Sequence, residues 1–154
     1  MAHVFSQKQI DEYKECFSLY DRSERRDGIR GEDLIVVMRS LGSYPTIEEI
    51  KDYRKQYEHG GKIKFNDFLM VMNNQLKTED AQKEILEAFR MSDKQKMGSI
   101  PVAELKNTMT RFGEQISERE VDSLLRELGI QKKAGIPYKE FVAQVLNPIP
   151  DTLP

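Results

Sequence analysis

Four isoleucines stand at matching places along the chain and constrain its fold more than any other feature. They are Ile29 in DGIRGED, Ile63 in GGKIKFNDF, Ile100 in MGSIPVAEL and Ile136 in AGIPYKEF, spaced 34, 37 and 36 residues apart. Each follows a glycine by one or two positions and precedes an acid by four: Asp33, Asp67, Glu104 and Glu140. An apolar helical pattern follows each acid. Glycine supplies a turn, and the β-branched residue after it suits a short strand bridge. The repeat is therefore a helix-loop-helix unit. One such unit leaves its apolar face exposed, so the four are expected to pair. The expected fold is all-α: two lobes, 1–77 and 78–148, each a pair of units joined by a short β-bridge between loops. A central linker joins the lobes, and a disordered tail follows at 149–154, where NPIPDTLP carries three prolines that cannot extend a helix.

Helix signals flank each loop. Ser6 with Gln9, Thr46 with Glu49, and Ser117 with Glu120 are capping boxes. Ile10, Tyr13, Phe17 and Tyr20 form one helical stripe, and Val121, Leu124, Leu125 and Leu128 another. Leu34, Val37, Met38 and Leu41 mark a helix that ends at Gly42. Residues 73–78, NNQLKT, are polar and read as the tether between lobes, helical or bent. Leu105, Met109 and Phe112 are expected to line the helix leaving the third loop.

The loops have the outline of a calcium-binding turn. Such a loop needs oxygen ligands at positions 1, 3, 5, 7, 9 and 12, and a glycine at 6. In DKQKMGSIPVAE, Asp93 fills position 1, Gln95 position 3, Gly98 position 6 and Glu104 position 12. Met97 at position 5 is a soft thioether, and Pro101 at position 9 has no side-chain oxygen. Asp93, Gln95 and Glu104 are thus a weak candidate site. The first loop, Asp21 to Asp33, is one residue too long and carries Arg25 and Arg26 where a cation would sit. The second is shortened, with Gln56 at position 1, Glu58 at 3, Gly60 at 5, and Lys62 and Lys64 nearby. In the fourth, Gly129, Gln131, Lys133 and Pro137 occupy ligand positions, and Glu140 alone remains. No metal and no cofactor are expected. Asp93 and Glu104 are expected to be dispensable for binding a target.

Charge and composition exclude other classes. Apolar residues make up 38% and charged residues 32%, and no run approaches a membrane span. The start, MAHVFS, shows neither an apolar leader run nor a Gly at position 2, so no leader or myristoyl anchor is expected. The net charge is −2, with the first half neutral and the second at −2, so neither half is basic enough to suggest nucleic acid. One cysteine, Cys16, forms no internal disulfide and points to the cytosol. His3 and His59 are the only histidines, and neither has a nucleophile to serve, so the chain is not expected to be an enzyme.

YKECFSLYD at 13–21, MRSLG at 38–42, KEILEAF at 83–89 and YKEFV at 138–142 resemble calmodulin and its EF-hand relatives, over nearly the whole chain. SQKQI at 6–10 and the depleted loops resemble a light-chain branch of that family. The resemblance implies a cytoplasmic protein that holds an IQ-motif helix on the neck of an unconventional myosin heavy chain, class VII, in actin-filled protrusions such as microvilli. Partners of other kinds are not implied: no nucleic acid, no direct membrane insertion, no obligate homo-oligomer. Depleted loops leave target binding intact while removing calcium control. The alternative is a weak calcium-responsive sensor acting through the third loop on another helical target.

A helix-in-groove mode needs accessible apolar side chains, and methionine adapts to varied partners. Met38, Met70, Met72, Met91 and Met109 suit that role, and each suits ordinary core packing equally. The target-binding set is expected to be Phe17, Met38, Leu41, Met70, Met72, Phe89, Leu105, Met109, Phe112, Phe141, Val142 and Val145. The second lobe is expected to grip the apolar half of the helix in a semi-open state, the first to stay more closed.

Overall fold

A computed structural model describes residues 5–130 and 134–147 of the 154-residue chain. It separates into two compact units, Met1–Glu79 and Asp80–Pro154. In the first, α1 (Gln7–Tyr20) leads to β1 (Ile29–Arg30), a single 3-10 turn (Gly31–Asp33) and α2 (Leu34–Ser40). Then come α3 (Ile47–Tyr57), β2 (Lys62–Ile63) and α4 (Phe65–Thr78). The second repeats the order as α5 (Ala81–Ser92), β3 (Ser99–Pro101), α6 (Val102–Arg111), α7 (Glu118–Glu127), β4 (Gly135–Pro137) and α8 (Tyr138–Val145).

The isoleucine repeat pairs its units as expected. β1 and β2 are antiparallel with Ile29 opposite Ile63, and β3 and β4 are antiparallel with Ile100 opposite Ile136. All four isoleucine side chains are buried. Each contributes about 1.5–3 kcal/mol by leaving water, so the bridge is also the seam of each core. The three capping boxes are formed as the sequence predicts, at Ser6, Thr46 and Ser117. Gly42 takes φ +81 just past α2, and Ser43 N donates to Met38 O at 3.1 Å, closing that helix end.

Two local readings change in detail. NNQLKT, expected helical or bent, is helical and does not stand clear of the first unit: residues 73–78 are the last turns of α4, and Gln75 is only 1% exposed. Its amide is fully used. Tyr53 OH donates to Gln75 Oε1 at 2.8 Å, while Gln75 Nε2 donates to Glu79 Oε2 at 2.8 Å and to Glu49 Oε2 at 3.4 Å. A polar residue can be buried there because every polar atom has a partner. Phe112 does not line α6 either. The helix stops at Arg111, Phe112 takes an extended backbone at its C-cap, and Gly113 follows at φ +63. Its ring is left 66% exposed. The tail at 149–154, with Gln131 and Lys133 of the fourth loop, lies outside the described residues. Among the described residues no helix is long and apolar enough to cross a membrane.

Candidate functional site

The first loop of each unit is closed by its own opening carboxylate. In loop one, Asp21 Oδ1 accepts from Ser23 Oγ at 2.8 Å and Asp21 Oδ2 accepts from Gly28 N at 3.1 Å. In loop three, Asp93 Oδ1 accepts from Met97 N at 3.0 Å and Asp93 Oδ2 from Gly98 N at 2.8 Å. Tyr138 OH, at the start of α8, donates to the same Oδ2 at 2.9 Å. Burial raises the Asp93 pKa, but the hydrogen bonds from Met97, Gly98 and Tyr138 outweigh it and hold it below its ordinary value. Asp93 is therefore the knot of the loop and a tie to α8.

Loop one also carries its own cations. The extra residue is absorbed by two left-handed backbones, Arg26 at φ +49 and Gly28 at φ +131. Arg26 Nη1 then donates to Ser18 O at 3.2 Å and Asp21 O at 3.5 Å, at the carbonyl end of α1. That helix has no basic residue in its last turn, so Arg26 supplies the missing positive charge. Lys62 of β2 pairs with Asp27, whose pKa falls to about 2 through that hydrogen bond and a second from Ser23. Loop two is tighter than the sequence suggests. α3 runs through Gln56 to Tyr57, and the chain turns between His59 and Lys62 on Gly60 and Gly61, both at positive φ. Glu58 is held by Arg54, with Arg54 Nε donating to Oε2 at 2.5 Å.

Asp93, Gln95 and Glu104 line one open cleft of about 600 Å³. Its chemistry for calcium is thin. A calcium ion takes six to eight oxygens, and this cleft offers two carboxylates and one amide, one carboxylate already committed to three donors. Among the described residues no group of three or more His, Cys, Asp or Glu side chains is placed to hold a metal.

The two carboxylates should behave differently. Asp93→Ala strands the buried Tyr138 hydroxyl and two backbone N–H groups, so unit two is expected to lose stability. Glu104 is exposed and makes no such contact, so Glu104→Ala should stay within about 0.5 kcal/mol of the parent. The folded pKa of Asp93 lies below its ordinary 3.8. Its contribution is thus full above that value and is lost as pH falls through the lower folded value. Melting curves followed from about pH 6 to about pH 2 should show an acid-sensitive second unit that Asp93→Ala renders less acid-sensitive. Equal effects of the two substitutions would contradict this account of the loop.

The expected target-binding set divides sharply by burial. Phe17, Met38 and Met72 sit in the first core, and Phe89, Leu105, Phe141 and Val142 in the second. Leu41 and Met109 are partly buried against those cores. Met70, Phe112 and Val145 are exposed, as is Met91. Packing consumes the buried members: Phe89 stacks on Tyr138 with centroids 5.4 Å apart and meets Phe141 edge-on at 5.6 Å. Sequence reasoning missed Tyr138 and Glu79. Glu79 Oε2 accepts from Ser43 Oγ at 2.9 Å and Tyr44 N at 2.8 Å, pinning the end of α4 to the turn after α2. Nothing local flags either residue, since their partners lie 45 and 36 positions away.

No protein-family model matches the sequence. Calmodulin-like protein 4 from Bos taurus is 42% identical over 153 residues, covering 98% of this chain and 99% of its own. The Mus musculus protein of that description is 41% identical with the same coverage, and the Xenopus tropicalis one 42%. Among solved structures, a chain of the Physarum polycephalum myosin II regulatory domain superposes with a TM-score of 0.73 at 29% identity. That match covers 96% of this chain and 99% of the other.

Proposed function

The chain belongs to the calmodulin-like protein 4 family, and from that premise we propose that it is a calcium-independent light chain that binds an amphipathic IQ-motif helix. The heavy chain is an unconventional myosin, class VII, whose neck it stiffens in the cytoplasm of actin-based protrusions. Likeness to a myosin regulatory domain supports the kind of partner. The observation that carries calcium independence is the closed state of loops one and three. Asp21 and Asp93 spend their oxygens on protein donors, and Arg26 and Lys62 place fixed positive charge in loop one.

The two units divide the work. Glu79 latches the first unit at Ser43 and Tyr44, which supports a closed first lobe. The second unit offers exposed Phe112 and Val145 beside half-buried Met109. It is the lobe that grips the apolar half of the helix, and Leu105, Phe141 and Val142 form the floor that opens beneath it. Burying two large target side chains supplies about 3–6 kcal/mol before ordering costs.

The test uses the full chain and a synthetic IQ-motif peptide of a class VII neck. Calorimetric titration in chelator should show binding, and titration of the chain with calcium should give little heat. A tight stoichiometric calcium site would overturn calcium independence, and a peptide bound only when calcium is present would instead establish the second reading. That reading is a weak sensor acting on another helical target through the cleft of Asp93, Gln95 and Glu104.

A further inference from the structure

On the second unit, a cavity of about 500 Å³ is lined by four cationic side chains: Arg90 at the end of α5, Lys94 and Lys96 of loop three, and Lys139 in the first turn of α8. We propose that this cavity is an anion site for a multiply charged phosphate monoester, a ligand independent of the helix that the lobes would hold. Lys94 and Lys96 are positions 2 and 4 of their loop, between the positions that would ligate an ion. Lys94 also lines the neighbouring cleft that holds Gln95.

What marks this cluster is the convergence of four cations on one concavity. Some basic side chains of the chain are held in ion pairs, such as Arg54 with Glu58, Lys62 with Asp27, Lys106 with Asp122, Lys51 with Glu48 and Lys55 with Asp52. None of the four lining the cavity has an ion-pair partner among the described residues, in a chain whose net charge is −2. Four unpaired cations around one concavity repel each other and lower that cost by taking up an anion. Asp93, which also lines it, offsets one of the four charges and leaves the concavity net positive. A volume of about 500 Å³ falls within the range of small-ligand pockets, about 300–1,000 Å³. It holds a sugar-phosphate-sized headgroup rather than a lone ion.

The probe is inositol trisphosphate, titrated into the full chain at low salt. Saturable binding that weakens as salt rises is expected. Lys94→Gln with Lys96→Gln, and separately Lys139→Gln, should each weaken it by about tenfold or more, and lysine-to-arginine changes at these positions should retain it. Lys51→Gln with Lys55→Gln, which alters cations already paired in the first unit, should change it less than about twofold. Circular dichroism of each variant guards against misfolding, and the exposed positions make that loss small. A parallel arm uses phosphatidylcholine vesicles with and without phosphatidylinositol bisphosphate. Lysine-dependent flotation with the bisphosphate vesicles assigns the site to a lipid headgroup, and binding of the soluble probe alone assigns it to a soluble phosphate. No binding in either arm, or equal weakening by the Lys51 and Lys55 changes, overturns the proposal.

Discussion

Replacing Phe112 by alanine is expected to weaken binding of the target helix by about 30-fold, ~2 kcal/mol, while leaving the protein as stable as the parent to within about 0.5 kcal/mol. The two effects separate because of where α6 stops. Phe112 sits past the last turn, with its ring 66% exposed, so no core contact is lost when it is truncated. An exposed aromatic is also the side chain that gains most from being covered by a partner. Phe141 is the contrast. It is 6% exposed and packed edge-on against Phe89, so Phe141→Ala should cost about 3–5 kcal/mol of folding and impair binding only by unfolding its lobe. Peptide titration in chelator and thermal unfolding of both variants decide the matter. Unchanged affinity in Phe112→Ala would mean that the ring faces away from the target. A loss of stability in that variant would mean that it packs in solution.

Phe68→Ala should produce the largest loss of stability in the first unit, about 3–5 kcal/mol. Phe68 is fully buried on α4 and lies among three other rings. Its centroid is 5.3 Å from Phe17, 6.3 Å from Phe65 and 6.4 Å from Tyr13. Removing it opens a cavity where α1 and α4 meet, and the aromatic neighbours cannot collapse to fill it without leaving their edge-on contacts. A small domain has only about 5–15 kcal/mol in total, so the first unit should melt far earlier. The second unit has its own core cluster and should melt where it did before. Scanning calorimetry resolves the two transitions. A shift of both together would show that the units unfold as one. A loss under ~1 kcal/mol would show that the site relaxes fully.

How much of this was legible beforehand differs by type of feature. The strand bridges were readable because Ile29, Ile63, Ile100 and Ile136 carry their own turn glycine and helix-opening acid within a few residues. Capping boxes at Ser6, Thr46 and Ser117 were readable for the same reason, since both partners lie three residues apart. The candidate site was legible only in outline. Asp93, Gln95 and Glu104 do line one cleft, but the oxygens of Asp93 prove to be occupied. The binding set was drawn from apolar type alone, which cannot separate buried Met72 from exposed Met70 two positions before it on the same helix.

The sequence by itself determined the repeat, the pairing of loops and the helix starts. These rest on short-range geometry: a turn needs its glycine, a bridge its β-branched residue and a helix its cap. Tertiary structure alone decided what each polar or apolar side chain is for. Gln75 became a core residue because Glu49 and Tyr53 of α3 meet its amide together with Glu79 at the end of its own helix. Asp93 became a structural knot because Tyr138 reaches it across 45 positions. Phe112 was left in the open because α6 ends one residue before it. The Gln75 and Asp93 outcomes depend on partners brought together from distant parts of the chain, and no periodicity or local motif encodes which partners those will be.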